Sequence, residues 1–262
     1  MQLSISNIAW DSQHDQKIYS LMQKYGFCGL EIAPTRIIPE NPYDQIDEIK
    51  EWQNYIRAEY NFHIPSMQSI WYGRQENLFS SEKEKDILLA YTRKAINFAS
   101  VINCKNLVFG CPRNRNVPEG ASEETALSFF RELGDYAYSQ NTVIGLEANP
   151  PIYLTNFIND TAAALKFIKQ VGSDGFKLNL DVGTIIHNQE NISMLQDAAT
   201  YINHVHISEP GLNPIKKREL HIELAEYLKQ SAYKGYVSIE IGRQQELSCI
   251  EENMAYIKEI FS

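Results

Sequence analysis

The chain has 262 residues, 44% hydrophobic and 22% charged, with 13 Gly and 10 Pro, an ordinary globular composition that excludes a disordered, collagen-like or coiled-coil protein. Twenty-four basic against 33 acidic residues leave a formal net charge of −9, which argues against broad contact with a nucleic-acid backbone or an anionic membrane. Cys28, Cys104, Cys111 and Cys249 form no C-x-x-C pair, the opening MQLSISNIAWDSQHDQ lacks a basic start followed by an apolar run, and no segment approaches about 18 continuous apolar residues; a reduced protein of the cytoplasm is expected.

In chain order, eight short β-rich runs are predicted: LSISNI (3–8), CGLEIA (28–33), FHIPSMQ (62–68), NLVFG (106–110), TVIGLE (142–147), FKLNLD (176–181), YINHVHI (201–207) and YVSIE (236–240). Stretches of helical spacing lie between them. Ser81 to Ile102 carries Ile87, Leu88, Tyr91, Ile96 and Phe98 near i, i+3/i+4 spacing, and Ser122 precedes Glu123 and Glu124, a capping serine followed by acids that suit the helix dipole. Thr161 to Val171 and Ile250 to Phe261 read the same way. Eight β/α units consume residues 1–262 without a linker or repeat, so one (β/α)8 TIM barrel, an α/β fold in a single domain, is predicted. A doubly wound open sheet is the alternative, but no G-x-G-x-x-G or G-x-x-x-x-G-K follows the first run.

Strand parity favours the barrel. In the last four runs Ile144, Leu146, Leu178, Leu180, Val205, Ile207, Val237 and Ile239 share one parity, while Gly145, Glu147, Asn179, Asp181, His204, His206, Ser238 and Glu240 share the other. An apolar face under helices and a chemical face turned inward is the barrel pattern. Glu147, Asp181, His206 and Glu240 are the last inward residues of strands five to eight, and four neighbouring strand ends converge on one point. Three carboxylates and an imidazole make a site for a hard or borderline divalent cation, Mn²⁺, Mg²⁺ or Co²⁺. Left uncompensated, the carboxylates would repel one another and raise their own pKa values.

His204 is placed one layer deeper, as a hydrogen-bonded core histidine. His187, in the loop after Asp181, is a substrate-contact candidate, while His14, His63 and His221 have no positional argument and read as structural or surface residues. No Ser or Cys sits in a nucleophile elbow, which sets nucleophilic hydrolysis aside. Arg36, Arg74, Arg113, Arg115 and Arg243 all fall just after strand ends and would rim the catalytic face, with Arg113 and Arg243 as the bets for recognising a phosphate or carboxylate. Trp10, Trp71, Tyr72 and Tyr153 near strand ends offer apolar faces for a sugar, Trp10 foremost, or else pack the loops.

With GFCGLEIAPT at strand two, IGLEANP at five, LNLDVGT at six, HVHISEP at seven and YKGYVSIEIG at eight, the sequence resembles the xylose-isomerase-like barrels, sugar (phosphate) isomerases and epimerases, over nearly its full length. The resemblance implies metal ligation by Glu147, Asp181, His206 and Glu240 and proton transfer by Glu147 and Glu240. It also implies Glu31 in the pocket wall and Glu209 near the substrate. Two departures stand out: Thr184 where many relatives place a histidine, and Leu212 where some epimerases place an arginine.

The expected activity is a metal-dependent isomerisation or epimerisation of a sugar or sugar phosphate through an enediolate. A metal-dependent lyase acting on an oxidised sugar is the alternative; an abasic-DNA endonuclease and a noncatalytic sugar-binding protein rank behind it. The expected partner is a small sugar or sugar phosphate, with no nucleic acid and no membrane, and a homo-oligomer is left open.

Overall fold

The computed structural model describes residues 1–262. Eight strands and nine helices follow in the order β1 (Gln2–Ser6), α1 (Asp15–Tyr25), β2 (Gly29–Glu31), α2 (Pro34–Ile37), α3 (Ile46–Tyr60), β3 (Ser66–Met67), α4 (Glu82–Val101), β4 (Asn106–Phe109), α5 (Glu123–Ser139), β5 (Ile144–Leu146), α6 (Thr161–Val171), β6 (Phe176–Asp181), α7 (Val182–Asn188), β7 (Ile202–Ile207), α8 (Glu219–Gln230), β8 (Tyr236–Ile239) and α9 (Leu247–Phe261). The strands form one parallel sheet in the order β2-β1-β8-β7-β6-β5-β4-β3. The two ends meet: His63 N–H donates to the Cys28 carbonyl at 2.9 Å, Leu30 N–H to His63 at 2.9 Å, Ile32 N–H to Ser66 at 3.1 Å and Gln68 N–H to Ile32 at 2.8 Å. The fold is the predicted TIM barrel.

The third strand is shorter than its sequence run because Pro65 has no N–H to give the ladder, leaving Ser66 and Met67 as the paired core. The predicted helix starts are capped: Ser81 Oγ accepts from Glu84 N–H at 3.3 Å and Ser122 Oγ from Glu124 N–H at 3.2 Å. The outward aliphatics Ile144, Leu146, Leu180, Val205, Ile207, Val237 and Ile239 are fully buried beneath the helices. The inward residues are small or polar, with Ser4, Ser6, Ser66, Asn106, Asn179 and Ser238 buried where aliphatic layers usually fill such barrels. Space is tight there: a Cβ on Gly145 would stand 2.5 Å from Asn106 Oδ1, and one on Gly29 2.5 Å from Ser4 Cβ.

The β6–β7 register shifts between Leu178 and Asn179, so Asn179 pairs with His204 and Asp181 with His206. The segment after Asp181 is a helix, which corrects the expectation of a loop at His187. Asp181 ends β6 and caps α7 at once, its Oδ2 accepting from Thr184 N–H at 2.7 Å and Thr184 Oγ1 at 2.9 Å. All four cysteines are free thiols, and no helix is long and apolar enough to cross a membrane.

Candidate active site

The C-terminal ends of β5 to β8 bring Glu147, Asp181, His206 and Glu240 together, their ligand atoms all within 4.8 Å of one another. Glu147, Asp181 and Glu240 open onto a cavity of about 170 Å³ whose wall also includes Gln68, Asn149 and Tyr153. His206 Nδ1 lies 3.1 Å from Glu147 Oε2 and 3.1 Å from Glu240 Oε2. Glu147 is held by Asn179 Nδ2, donating to Oε2 at 2.9 Å, and by Asn149 Nδ2, donating to Oε1 at 2.9 Å. Asp181 Oδ1 accepts from the Ser208 hydroxyl while Oδ2 stays with Thr184. The helix-capping oxygen and the cavity-side bond are thus divided between the two atoms of one carboxylate.

Glu31 corrects the expectation of a pocket-wall residue. It is fully buried on the far side of the His206 ring, with Oε2 3.0 Å from His206 Nε2 and 3.0 Å from His204 Nε2. Gln68 is satisfied with its amide nitrogen toward the acids, donating to Glu31 Oε1 at 2.9 Å and Glu240 Oε1 at 2.8 Å while its oxygen accepts from Ser6 Oγ at 3.2 Å. His204 lies where expected, one layer down, with its ring edge-on to His206 at 5.3 Å.

Burial pushes the Asp181 carboxyl up to about 6, aided by the neighbouring Glu147 charge. Burial likewise pushes Glu240 up to about 7, against the lowering pull of His206 and with the Glu147 and Asp181 charges adding to the rise. At Glu31 burial also raises the carboxyl, but the His206 charge and the two imidazole contacts prevail and hold it well below the carboxylate range. Burial depresses His206, and the charges of Glu240 and Glu31 with the bonds to Glu147 and Glu240 overcome it, raising the imidazole well above its usual value. The cluster therefore holds more negative charge than its imidazole neutralises. Three carboxylates and one imidazole within reach of a single point fit a divalent cation of hard or borderline character. Glu31 on Nε2 leaves Nδ1 toward Glu147 and Glu240, the arrangement that orients a metal-binding histidine.

The remaining expected contacts lie elsewhere. His187 is exposed on α7, because Asp181 runs the chain straight from strand into helix. Trp10 is fully buried, its Nε1 donating to Asp15 Oδ1 at 2.7 Å beneath Arg36, and it lines no part of the cavity. Glu209 is locked by Arg218, which donates to Oε1 at 2.7 Å and Oε2 at 2.6 Å, and the guanidinium overrides burial to lower its carboxyl. Arg243 is an exposed surface residue 3.3 Å from Asp11. The arginine rim dissolves further: Arg36 pairs with Asp15 at 2.6 Å, Arg74 pairs with Glu76, and Arg115 is fully buried with Nη2 donating to the Glu147 carbonyl at 3.0 Å and Asn149 Oδ1 at 2.8 Å. Arg113 alone stays exposed without a carboxylate partner, beside a second cavity.

Gln68, Asn149, Asn179 and Ser208 were not singled out by sequence reasoning. Gln68 and Asn179 share the inward parity of their strands and were findable by it; Asn149 and Ser208 stand in irregular segments with no periodicity to follow.

A model of the xylose isomerase-like TIM barrel family matches residues 20–260. Among solved structures, D-psicose 3-epimerase from Clostridium cellulolyticum H10, determined with D-tagatose, superposes with a TM-score of 0.80 at 15% identity over 100% of both chains. The 3-keto-D-glucoside 4-epimerase of E. coli follows at 0.76 and 17%, over 99% of each chain. The IOLI protein with a bound zinc atom gives 0.72 and 17%, over 99% of this chain and 96% of that one. At such identities the likeness speaks to fold. No curated protein matches by sequence. With the family match spanning nearly the whole chain and the barrel closed around its acidic strand ends, the protein belongs to the xylose isomerase-like TIM barrels.

Proposed function

We propose that the protein is a divalent-metal-dependent sugar isomerase or epimerase in which Glu147 and Glu240 transfer the proton. The observation that carries the reading is the placement of these two carboxylates at one cavity, on strand ends separated by β6 and β7, each 3.1 Å from the same His206 nitrogen. Its similarity to sugar epimerases and to a zinc-bound barrel agrees with that reading.

Glu147, Asp181, His206 and Glu240 would hold the cation, with Mn²⁺, Mg²⁺ or Co²⁺ favoured by the oxygen-rich set. When bound, it polarises a carbonyl and its neighbouring hydroxyl and lowers the acidity barrier at the adjacent carbon. One glutamate removes the carbon-bound proton and the other faces the opposite side of the planar enediolate. Return of a proton to the same carbon from that side inverts it; return to the neighbouring carbon interconverts aldose and ketose. Asn149 and Asn179 hold Glu147 by donated hydrogen bonds, one to each carboxylate oxygen, which fix the direction in which it points. Ser208 and Thr184 fix the orientation of Asp181 through one oxygen each.

Incubation of metal-loaded protein with ketoses, aldoses and their phosphates in deuterated water tests the proposal. Carbon-bound deuterium in at least one sugar is the expected result, and its absence from all of them overturns the reading.

A further inference from the structure

The inner cavity, about 170 Å³, is smaller than the roughly 300–1,000 Å³ of typical small-ligand sites. It accommodates the reacting part of a sugar and little more. A second cavity of about 640 Å³ adjoins it between the connections that follow β3 and β4, and Ser69, Cys111 and Pro112 line both. Ser69 and Cys111, at this shared waist, have φ of 55° and 41°, left-handed conformations that non-glycine residues adopt at a cost and that concentrate at functional sites.

The walls of the outer cavity say what it suits. Trp71 forms a fixed part of the wall, its Nε1 donating to Thr92 Oγ1 at 2.7 Å and its ring edge-on to Phe109 at 4.8 Å. Tyr72 leaves 69% of its surface exposed at the cavity, an unpartnered aromatic face of the kind that stacks on the apolar side of a sugar ring. Arg74 is neutralised by Glu76 and lies over Tyr91, so Arg113 is the one free cation. Tyr72 and Arg113 line the same space, so a sugar ring there has a phenol face for its apolar side and a guanidinium whose N–H groups donate to its hydroxyls.

We infer that the protein acts on a two-part substrate, a reacting sugar joined through a glycosidic bond to a second sugar ring, with the second ring seated between Tyr72 and Arg113. This deepens the sugar isomerase or epimerase reading and rests on it.

The test compares D-fructose with two glucosyl-fructoses that keep the same free ketose, palatinose and maltulose, on manganese-loaded protein. Affinity is read by calorimetry and carbon-bound deuterium by mass spectrometry. At least one disaccharide is expected to bind tenfold or more tightly than fructose, and Tyr72→Ala and Arg113→Ala are each expected to cut that ratio at least threefold. Equal or weaker binding of both disaccharides, or a ratio unmoved in both variants, overturns the outer subsite. Deuterium entering fructose with no gain from the disaccharides removes the subsite and leaves the sugar chemistry standing; a disaccharide preference without any deuterium supports the subsite and leaves the proton chemistry to the wider panel of ketoses, aldoses and phosphates. No binding by any of the three sugars overturns the outer subsite, and the sugar chemistry then stands or falls on the wider panel.

Discussion

Glu31 meets His206 through Nε2 at 3.0 Å, on the side of the imidazole opposite the Nδ1 that faces Glu147 and Glu240. A carboxylate there fixes which ring nitrogen carries the proton and raises the basicity of the other. Glu31→Gln is therefore expected to weaken divalent-metal affinity about 10- to 100-fold with the barrel still folded, as read by competition with a fluorescent chelator. An unchanged dissociation constant would separate Glu31 from the metal site.

Direct removal of a ligand should act more strongly. Asp181→Asn and His206→Ala are expected to lose metal on dialysis, while His14→Ala, altered at a half-buried site away from the cluster, keeps it. Elemental analysis decides, and full occupancy in both ligand variants would remove the assignment.

The acidic cluster also makes a signed prediction for the metal-free protein. Asp181 is raised from 3.8 to about 6 and Glu240 from 4.5 to about 7, so between about pH 4 and 7 the folded state binds more protons at these groups than the unfolded state. Their contribution to stability is fully present below the unfolded values and is lost as pH rises through 6 and 7. In Glu240→Gln that loss is diminished, so the variant's Tm should rise relative to the parent's between pH 5 and 8. Metal affinity of the parent should increase over the same interval, because ligands must shed protons to bind. A parent-to-variant Tm difference that stays flat with pH would contradict the shift at Glu240.

On the proposed two-carboxylate mechanism, Glu147→Gln and Glu240→Gln should each lower turnover by roughly 10² to 10⁴ at saturating metal with occupancy measured. The variant that lacks only the reprotonating acid should still exchange the substrate proton with deuterated solvent while forming little product. The one lacking the initiating base should do neither. Near-parental turnover in either metal-replete variant would rule out the two-carboxylate mechanism.

The barrel and the four converging residues were legible because both depend on a period of two along β5 to β8, which a sequence displays directly. Glu147, Asp181, His206 and Glu240 needed only that parity and the strand ends. The arginines follow no such period: Asp11 and Glu76, which pair with Arg243 and Arg74, lie in connections, Asp15, which pairs with Arg36, opens α1, and all three pairings form only in three dimensions or through a turn. Trp10 misled similarly, since nearness to a strand end says nothing about whether an indole turns up to the cavity or down onto Asp15. Glu31 was found by resemblance, yet its place behind His206 follows from burial and from the β1–β2 pairing of Ser6 with Glu31, neither visible in the chain.

Asp181 both ends β6 and starts α7, so no free connection exists at that corner of the barrel mouth. The mouth is consequently lopsided. Its β6 side is pinned by a helix cap and by Ser208, whose hydroxyl donates to Asp181 Oδ1 and accepts from the Gly183 N–H at 2.8 Å, whereas the connections after β3 and β4 are long and carry Tyr72 and Arg113. The amides of Gly183 and Thr184 should accordingly be among the slowest at the mouth to exchange with solvent.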